Sequence, residues 1–255
     1  ANLANKDLIY LGVSGDGDSA SIGFGQFAHS IRRGVNMVYI VANNGVYGLT
    51  KGQFSATSDK GAKLKKGAVN PDDPIDLVTM AIQLGATFVG RSFSGDKKQL
   101  VPLIKAAIDH KGPAFIDCIS PCVAFNNHEG STKSFDYVRA HNEAVNSLDF
   151  ISERAPIVAD YEPGQTQRVK LHDGTSILLR KINADYDVHD RVAAINYLMT
   201  HDVAGEIPTG LVYLEEDPGD MHDRLNTVDR PLNELSDADL VPGSAALAKI
   251  NASLR

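Results

Sequence analysis

The chain has 255 residues, of which 43% are hydrophobic and 22% are charged, so it is long enough to bury a substantial core and too apolar for a disordered protein. Its formal charge of −7, without a long cationic run, argues against nucleic acid or an anionic membrane as a partner. Its apolar runs fall far short of the roughly 20 residues that cross a membrane. Two cysteines are too few for a disulfide framework, which is typical of the cytoplasm.

Up to about residue 120, short apolar runs alternate with helical patterns. This alternation indicates βα units around a mostly parallel sheet, so we predict an α/β, doubly wound fold. The predicted strands are 8–13, 37–42, 87–91 and 114–119, and the predicted helices are 21–33, 75–84 and 97–110. A long polar segment, 43–73, interrupts the pattern, and such a segment inside a compact domain is usually functional.

After residue 121 the pattern changes. We predict a polar loop at 125–134, a helix at 135–149, a hairpin at 169–182, a helix at 188–201, a strand at 210–215 and a last helix at 244–254. The hairpin prediction depends on Asp173-Gly174, which is a strong turn signal. We therefore divide the chain into a domain at 1–155 and a C-terminal α+β extension at 156–255, packed on the same subunit or on a partner.

The glycine-rich segment GDGD, residues 15–18, lies between the first predicted strand and the first predicted helix. Its glycines allow a tight turn close to a ligand, and the following helix N-terminus favours a phosphate group. With Ala20, the spacing also fits the dinucleotide fingerprint GxGxxG/A. However, that fingerprint requires an acidic residue at the end of the next strand, where this sequence has Asn43-Asn44.

The two carboxylates of this loop, Asp16 and Asp18, would repel a pyrophosphate unless a cation lay between them. Mg²⁺ is usually held by one or two carboxylates together with phosphate oxygens. Asn44 follows Asp16 by 28 residues, at the end of the next predicted strand. If a right-handed crossover joins two adjacent parallel strands, their carboxyl ends lie about 5 Å apart. The spacing therefore favours a shared magnesium site over two unrelated polar turns.

The combination of GDG at 15–17 with Asn43-Asn44 resembles the motif of thiamin diphosphate enzymes. The resemblance implies that Mg²⁺, which bridges the cofactor's diphosphate, is held by Asp16, Asn44 and the backbone carbonyl of Val46. It implies cofactor contacts with Gly15, Gly17, Asp18, Gly48, Leu49 and Thr50.

The run YGLTKGQFSAT at 47–57 resembles a loop in the β subunit of 2-oxoacid:ferredoxin oxidoreductases, in particular the bacterial two-subunit enzymes acting on 2-oxoglutarate. The resemblance extends through 122–127 and, more weakly, into 205–232. It implies oxidative decarboxylation of 2-oxoglutarate with coenzyme A, which yields succinyl-CoA, CO₂ and reduced ferredoxin, and it leaves the physiological direction open. Three alternatives stay open: an enzyme acting on pyruvate, a non-redox thiamin-dependent decarboxylase or synthase, and a catalytically silent scaffold.

The same resemblance implies further roles and partners. Lys51 would recognise the substrate carboxylate, with Leu49 shaping the pocket beside it. Cys122 would supply one thiolate of a 4Fe-4S cluster, while Cys118 lies in a predicted strand and is expected in the core. The other cluster ligands are expected upstream of residue 1, which would make this chain a fragment; the alternative is a cluster that is incomplete or lost. The α subunit of the enzyme would contribute the glutamate that activates thiamin, in a dimer of αβ heterodimers.

Overall fold

The computed structural model describes residues 1–50, 52–62, 68–120, 158–170, 176–241 and 243–254. Its strands are β1 (Leu11–Gly15), β2 (Met37–Asn43), β3 (Val46–Tyr47), β4 (Gln53–Phe54), β5 (Phe88–Phe93), β6 (Pro113–Ile119), β7 (Thr166–Lys170), β8 (Ser176–Lys181) and β9 (Ile207–Leu214). Its α-helices are α1 (Phe24–Arg32), α2 (Leu77–Leu84), α3 (Lys97–Asp109), α4 (Arg191–Val203), α5 (Met221–Leu225), α6 (Asp237–Leu240) and α7 (Ser244–Ser253). A π-helix covers Gly17–Ile22, and two 3-10 helices cover Asn2–Ala4 and Leu232–Glu234.

Within these residues, seven strands form one sheet in the order β1-β2-β6-β5-β9-β8-β7. The four strands β1, β2, β6 and β5 are mutually parallel. Strand β9 runs antiparallel to β5, β8 runs parallel to β9, and β7 runs antiparallel to β8. The predicted mostly parallel sheet is confirmed. The proposed boundary at 155 falls outside the described residues, and strands from both sides of it belong to this sheet.

Helices cover both faces of the sheet. Consecutive strand residues point to opposite sides, so the apolar strands present side chains to a core on each face. Helices α1, α2 and α4 pack on one face in a core that contains Phe27, Ile31, Val41, Leu77, Ile82, Val89, Phe115 and Leu198. Helix α3 packs on the other face in a core that contains Val38, Phe88, Leu103, Ala107, Ile116 and Cys118. The predicted doubly wound arrangement is thus confirmed.

Local sequence signals explain the buried face of α1 and the two ends of α2. In α1, Phe27 and Ile31 are buried as the apolar periodicity predicts, and the ring of Phe27 meets that of Phe115 edge-on at 5.2 Å. Helix α2 begins after Asp76, whose carboxylate accepts the N–H groups of Val78 and Thr79. It ends at Gly85, which has the positive φ of a helix C-terminal glycine.

The structure corrects the predicted bounds at the start of the chain. Strand β1 begins at Leu11 rather than at residue 8, and Leu8 and Ile9 are 57% and 70% exposed. The predicted helix 21–33 is divided into the π-helix and α1. The polar segment 43–73 contains the short hairpin β3–β4. A pattern of apolar residues predicts none of these details, because it does not register a one-turn change in helix geometry or a two-residue strand.

The C-terminal predictions have mixed outcomes. The hairpin at 169–182 is confirmed by the antiparallel pairing of β7 with β8, whereas its turn lies outside the described residues. The predicted loop at 125–134 and helix at 135–149 also lie outside them. Among the helices described, none combines the length and apolar character needed to span a membrane.

Candidate metal and cofactor site

The sheet brings the loop after β1, which carries Asp16, and the loop after β2, which carries Asn44, to one edge. Gly15, the last residue of β1, pairs with Ala42 in the parallel strand β2. Asp16 and Asn44 therefore follow neighbouring strand ends, and Asp16 Oδ1 accepts the backbone N–H of Asn44 at 3.3 Å. Asp16 is only 1% exposed. This carboxyl edge is where open parallel sheets bind their ligands.

The other carboxylate oxygen of Asp16 is held by two hydroxyl groups from the segment after β4. Thr57 Oγ1 donates to Asp16 Oδ2 at 2.7 Å, and Ser55 Oγ donates to the same oxygen. Hydrogen bonds to an ionised group are strong and directional, so they fix the plane of the carboxylate. Both residues belong to the motif YGLTKGQFSAT at 47–57, but the motif by itself does not predict that Ser55 and Thr57 hold Asp16.

Asn44 and Val46 lie on a turn tied together by its own polar groups. Asn44 Oδ1 accepts the N–H of Val46 at 2.9 Å, a typical asparagine turn. The carbonyl of Gly45, a residue with a φ of +73°, accepts the N–H of Ser55, which directly follows β4. Because carbonyls alternate in direction along a strand, the carbonyl of Val46 points away from β4. That carbonyl is therefore not used by the hairpin.

These donors fit magnesium. The side chains of Asp16 and Asn44 and the carbonyl of Val46 offer one carboxylate, one amide and one backbone oxygen, all hard ligands that suit Mg²⁺. The described residues contain no group of three or more His, Cys, Asp or Glu side chains able to hold a metal. The donor set thus suits an ion that completes its shell with phosphate oxygens and water, as Mg²⁺ usually does.

Gly17 joins the GDGD loop to the hairpin. A Cβ atom on Gly17 would lie 2.3 Å from Cε1 of Tyr47, a distance that no side chain tolerates. In addition, the hydroxyl of Tyr47 donates to the carbonyl of Gly17 at 3.2 Å. The neighbouring Asp18 is exposed. The glycine is therefore required for the close approach of the loop to the aromatic ring.

Behind Asp16 lies a set of paired polar groups that we call the charge chain, composed of Asn43, Asp117, Arg91 and Asp76. Asp117 is buried, whereas the side chain of Asp76 is 39% exposed. Asn43 Nδ2 donates to Asp117 Oδ1 at 3.1 Å, and Arg91 Nε donates to Asp117 Oδ2 at 2.8 Å. Arg91 also forms an ion pair with Asp76. Thr57 connects this chain to the site, because its Oγ1 lies 3.0 Å from Asn43 Oδ1.

The pKa values in the charge chain follow from burial and pairing. Burial raises the pKa of Asp117, and the guanidinium of Arg91 opposes this effect because it favours the carboxylate. Burial would also raise the pKa of Asp76, but Arg91 and the hydroxyl of Thr79 outweigh it and lower the pKa. Burial alone would lower the pKa of Arg91, whereas Asp76 and Asp117 raise it, so Arg91 stays protonated.

The other site residues named in the sequence analysis do not lie in the Asp16–Asn44 cluster of the described structure. Leu49 is 98% exposed, and Thr50 beside it is exposed as well. Lys51 and Cys122 lie outside the described residues. Cys118 is buried in the core as expected, and burial raises the pKa of its thiol to about 11. The structure thus brings together Asp16, Asn44 and the Val46 turn, while Leu49 and Thr50 extend from it into solvent.

Comparison with known proteins agrees with this geometry. Residues 1–118 match the family described as thiamine pyrophosphate enzyme, C-terminal TPP binding domain. A 2-oxoacid:ferredoxin oxidoreductase subunit beta from Sulfolobus sp is 41% identical over 61% of this chain and 49% of its own length. The 2-oxoglutarate oxidoreductase subunit KorB of Mycobacterium tuberculosis is 39% identical over 54% of this chain and 36% of its own length. This chain thus spans at most about half the length of these curated relatives.

A solved structure is also similar to the whole chain. It is a 2-oxoglutarate:ferredoxin oxidoreductase from Magnetococcus marinus, described with 2-oxoglutarate, coenzyme A and succinyl-CoA bound. The TM-score is 0.67 and the sequence identity 28%, with 100% of this chain and 70% of that chain covered. The resemblance to β subunits of 2-oxoacid:ferredoxin oxidoreductases, predicted from the sequence motifs, is therefore confirmed.

Proposed function

We propose that this chain is the thiamin diphosphate-binding β subunit of a 2-oxoacid:ferredoxin oxidoreductase that acts on 2-oxoglutarate. In the proposed reaction, 2-oxoglutarate and coenzyme A give succinyl-CoA and CO₂, and two electrons pass one at a time to oxidised ferredoxin. The observation that carries the proposal is the contact of Asp16 with Asn44, which lies within the segment that matches a TPP binding domain. Thiamin diphosphate, when bound, would supply the electron sink for the loss of CO₂.

The residues of this chain would bind and orient the cofactor. Asp16, Asn44 and the carbonyl of Val46 would hold Mg²⁺ against the diphosphate. The hydroxyls of Ser55 and Thr57, which donate to Asp16 Oδ2, would keep the carboxylate in one orientation as the metal binds. The cofactor contacts that we propose are Gly15, Gly17, Asp18, Gly48, Leu49 and Thr50. The exposure of Leu49 is compatible with this role, since an exposed apolar side chain is available to a cofactor or to a neighbouring subunit.

We propose that Lys51 recognises a carboxylate of the substrate, since it follows the metal-site turn in a glycine-flanked loop. Removing this cation by Lys51→Ala should raise the KM for 2-oxoglutarate and change kcat less, because ground-state recognition is lost. Lys51→Arg keeps the charge and should have the smaller effect. An unchanged KM in Lys51→Ala would remove Lys51 from substrate recognition.

The redox part of the proposal rests on Cys122 as one ligand of a 4Fe-4S cluster, with further ligands from outside this sequence. The α subunit would contribute the activating glutamate, ferredoxin would accept the electrons in the cytoplasm, and the assembly would be a dimer of αβ heterodimers. Cys122→Ser should reduce the visible absorbance that dithionite bleaches, while Cys118→Ser should leave it unchanged because that thiol is buried in the core. Equal loss in both variants would contradict the assignment.

The function is tested in the assembled protein with 2-oxoglutarate, coenzyme A and a viologen dye in place of ferredoxin. We expect dye reduction, CO₂ and succinyl-CoA in matched amounts, and no turnover in Asp16→Ala. A higher kcat/KM with pyruvate would transfer the assignment to a pyruvate enzyme. Release of CO₂ without dye reduction would indicate a non-redox decarboxylase, and failure to bind thiamin diphosphate would overturn the proposal.

A further inference from the structure

We infer that Asp117 is a positioning residue for the metal site, which acts on Asp16 through Asn43 and Thr57. The inference rests on the function proposed above, because it concerns the affinity of that site for its divalent ion. Asp117 does not contact Asp16 directly. Its influence follows from the direction in which each group of the charge chain donates its hydrogen bond.

The first step is the orientation of the Asn43 amide. Asp117 is 1% exposed, and its two carboxylate oxygens accept from Arg91 Nε and from Asn43 Nδ2. An ionised carboxylate only accepts hydrogen bonds, so Asn43 has to turn its NH₂ group towards Asp117. The amide oxygen of Asn43 is then directed towards Thr57, whose Oγ1 lies 3.0 Å away.

The second step is the single hydroxyl proton of Thr57. This proton has three acceptors within reach: Asp16 Oδ2 at 2.7 Å, and Asn43 Oδ1 and Ser55 Oγ, each at 3.0 Å. The amide oxygen of Asn43 therefore competes with Asp16 for the Thr57 proton and weakens the hydrogen bond from Thr57 to Asp16. The carboxylate of Asp16 then keeps more of its negative charge for a metal ion. If the amide were reversed, its NH₂ would donate to Thr57, and Asn43 would no longer compete with Asp16 for the Thr57 proton.

The third step explains why a charged residue, and not an apolar one, is needed at position 117. Arg91 and Asp117 are paired residues of the neighbouring strands β5 and β6, and the side chain of Arg91 is 11% exposed. A buried ion pair is weak evidence for stability, because apolar residues of similar size often stabilise a fold equally well. A fixed negative charge beside Asn43, by contrast, sets the direction of the amide, which an apolar residue cannot do.

The test measures binding of Mn²⁺, a spectroscopic substitute for Mg²⁺, by electron paramagnetic resonance with thiamin diphosphate present and the assembled protein. Asp117→Asn removes the charge, allows the amide to reverse and should weaken Mn²⁺ binding about tenfold, as is common for residues behind metal ligands. In a Thr57→Val background the same substitution should change the affinity by less than about twofold, because the connection to Asp16 is already absent. Thr57→Ser keeps the hydroxyl and should keep the affinity.

A matched control uses Asp96, which is also buried, caps the N-terminus of α3 and pairs with Lys181 at 3.1 Å. Asp96→Asn should leave Mn²⁺ binding unchanged. Three results would overturn the inference: equal losses of Mn²⁺ affinity in Asp96→Asn and Asp117→Asn, additive losses when Asp117→Asn is combined with Thr57→Val, or unchanged affinity in Asp117→Asn. If Asp117→Asn fails to fold, Asn43→Ala removes the link between Asp117 and Thr57 without touching Arg91 and should give the same loss of Mn²⁺ affinity. A wild-type protein that binds no Mn²⁺ with thiamin diphosphate would instead refute the proposed function.

Discussion

The carboxylate of Asp16 accepts the backbone N–H of Asn44 at 3.3 Å, although 28 residues separate them in the chain. The contact exists because β1 and β2 are parallel neighbours, so both residues emerge at the same edge of the sheet. It connects the end of β1 to the β3–β4 hairpin, whose following segment returns two hydroxyls to the same carboxylate. The metal site and the local fold therefore depend on the same side chain.

The hydroxyl of Ser55 should contribute more to stability than that of Ser58. Ser55 Oγ donates to the buried carboxylate of Asp16, whereas Ser58 Oγ makes bonds to neutral groups only, donating to the carbonyl of Gly45 and accepting the N–H of Ser55. Ser55→Ala should lower the free energy of unfolding by about 2 kcal/mol and Ser58→Ala by about 1 kcal/mol, because hydrogen bonds to charged groups are stronger. Urea unfolding of both variants measures the difference, and a larger effect in Ser58→Ala would contradict this reading of the site.

Gly17 should not tolerate any side chain while Tyr47 is present. Gly17→Ala would place a methyl group within 2.3 Å of the Tyr47 ring and force the loop and the hairpin apart. We expect loss of thiamin diphosphate binding together with lower thermal stability. Adding Tyr47→Ala makes room for the methyl group and should recover part of the stability lost in the single variant. Simple addition of the two losses would show that the clash is not the cause.

The ion pair of Asp76 with Arg91 should stabilise the fold at neutral pH and weaken in acid. The pKa of Asp76 is lower in the folded protein than its ordinary value of 3.8. Its contribution is therefore complete above that value and is lost as the pH falls through the folded pKa. Free energies of unfolding from about pH 5 to about pH 3 should decline more steeply for the wild type than for Asp76→Asn. Parallel pH profiles would contradict the ion pair's role.

Cys118 should be chemically inert in the folded protein. Because burial raises the pKa of its thiol to about 11, the reactive thiolate is only about 0.1% of the total at pH 8. Iodoacetamide should therefore label Cys118 at least about 100-fold more slowly in the native protein than in urea, as measured by peptide mass spectrometry. Similar rates in the two conditions would show that β6 does not protect this thiol.

The elements with strong periodicity could be predicted from the sequence. The helical spacing of Phe27 and Ile31 predicts α1, and the apolar run that begins at Met37 predicts β2. The meeting of Asp16 with Asn44 could be anticipated because parallel strands joined by a crossover bring their ends together. These inferences use only local pattern and one rule of topology.

The supporting groups of the site could not be predicted in this way. Ser55 and Thr57 reach Asp16 only because a short hairpin folds back across the end of β1, and a two-residue strand leaves no periodic signal. The pairing of Arg91 with Asp117 requires the register of β5 against β6, which separate patterns along the chain do not contain. Polar contacts between residues far apart in the chain are thus the part of the site that sequence patterns do not predict.

We propose above that Asp16 holds the divalent ion that binds the cofactor's diphosphate, and the other proposed roles depend on this contact. Titration calorimetry of thiamin diphosphate with Mg²⁺ into the assembled protein tests it directly, with Asp16→Ala compared against Asp18→Ala. We predict that Asp16→Ala abolishes magnesium-dependent binding, whereas Asp18→Ala, which changes an exposed carboxylate of the same loop, weakens it less. Wild-type affinity in Asp16→Ala would contradict the account.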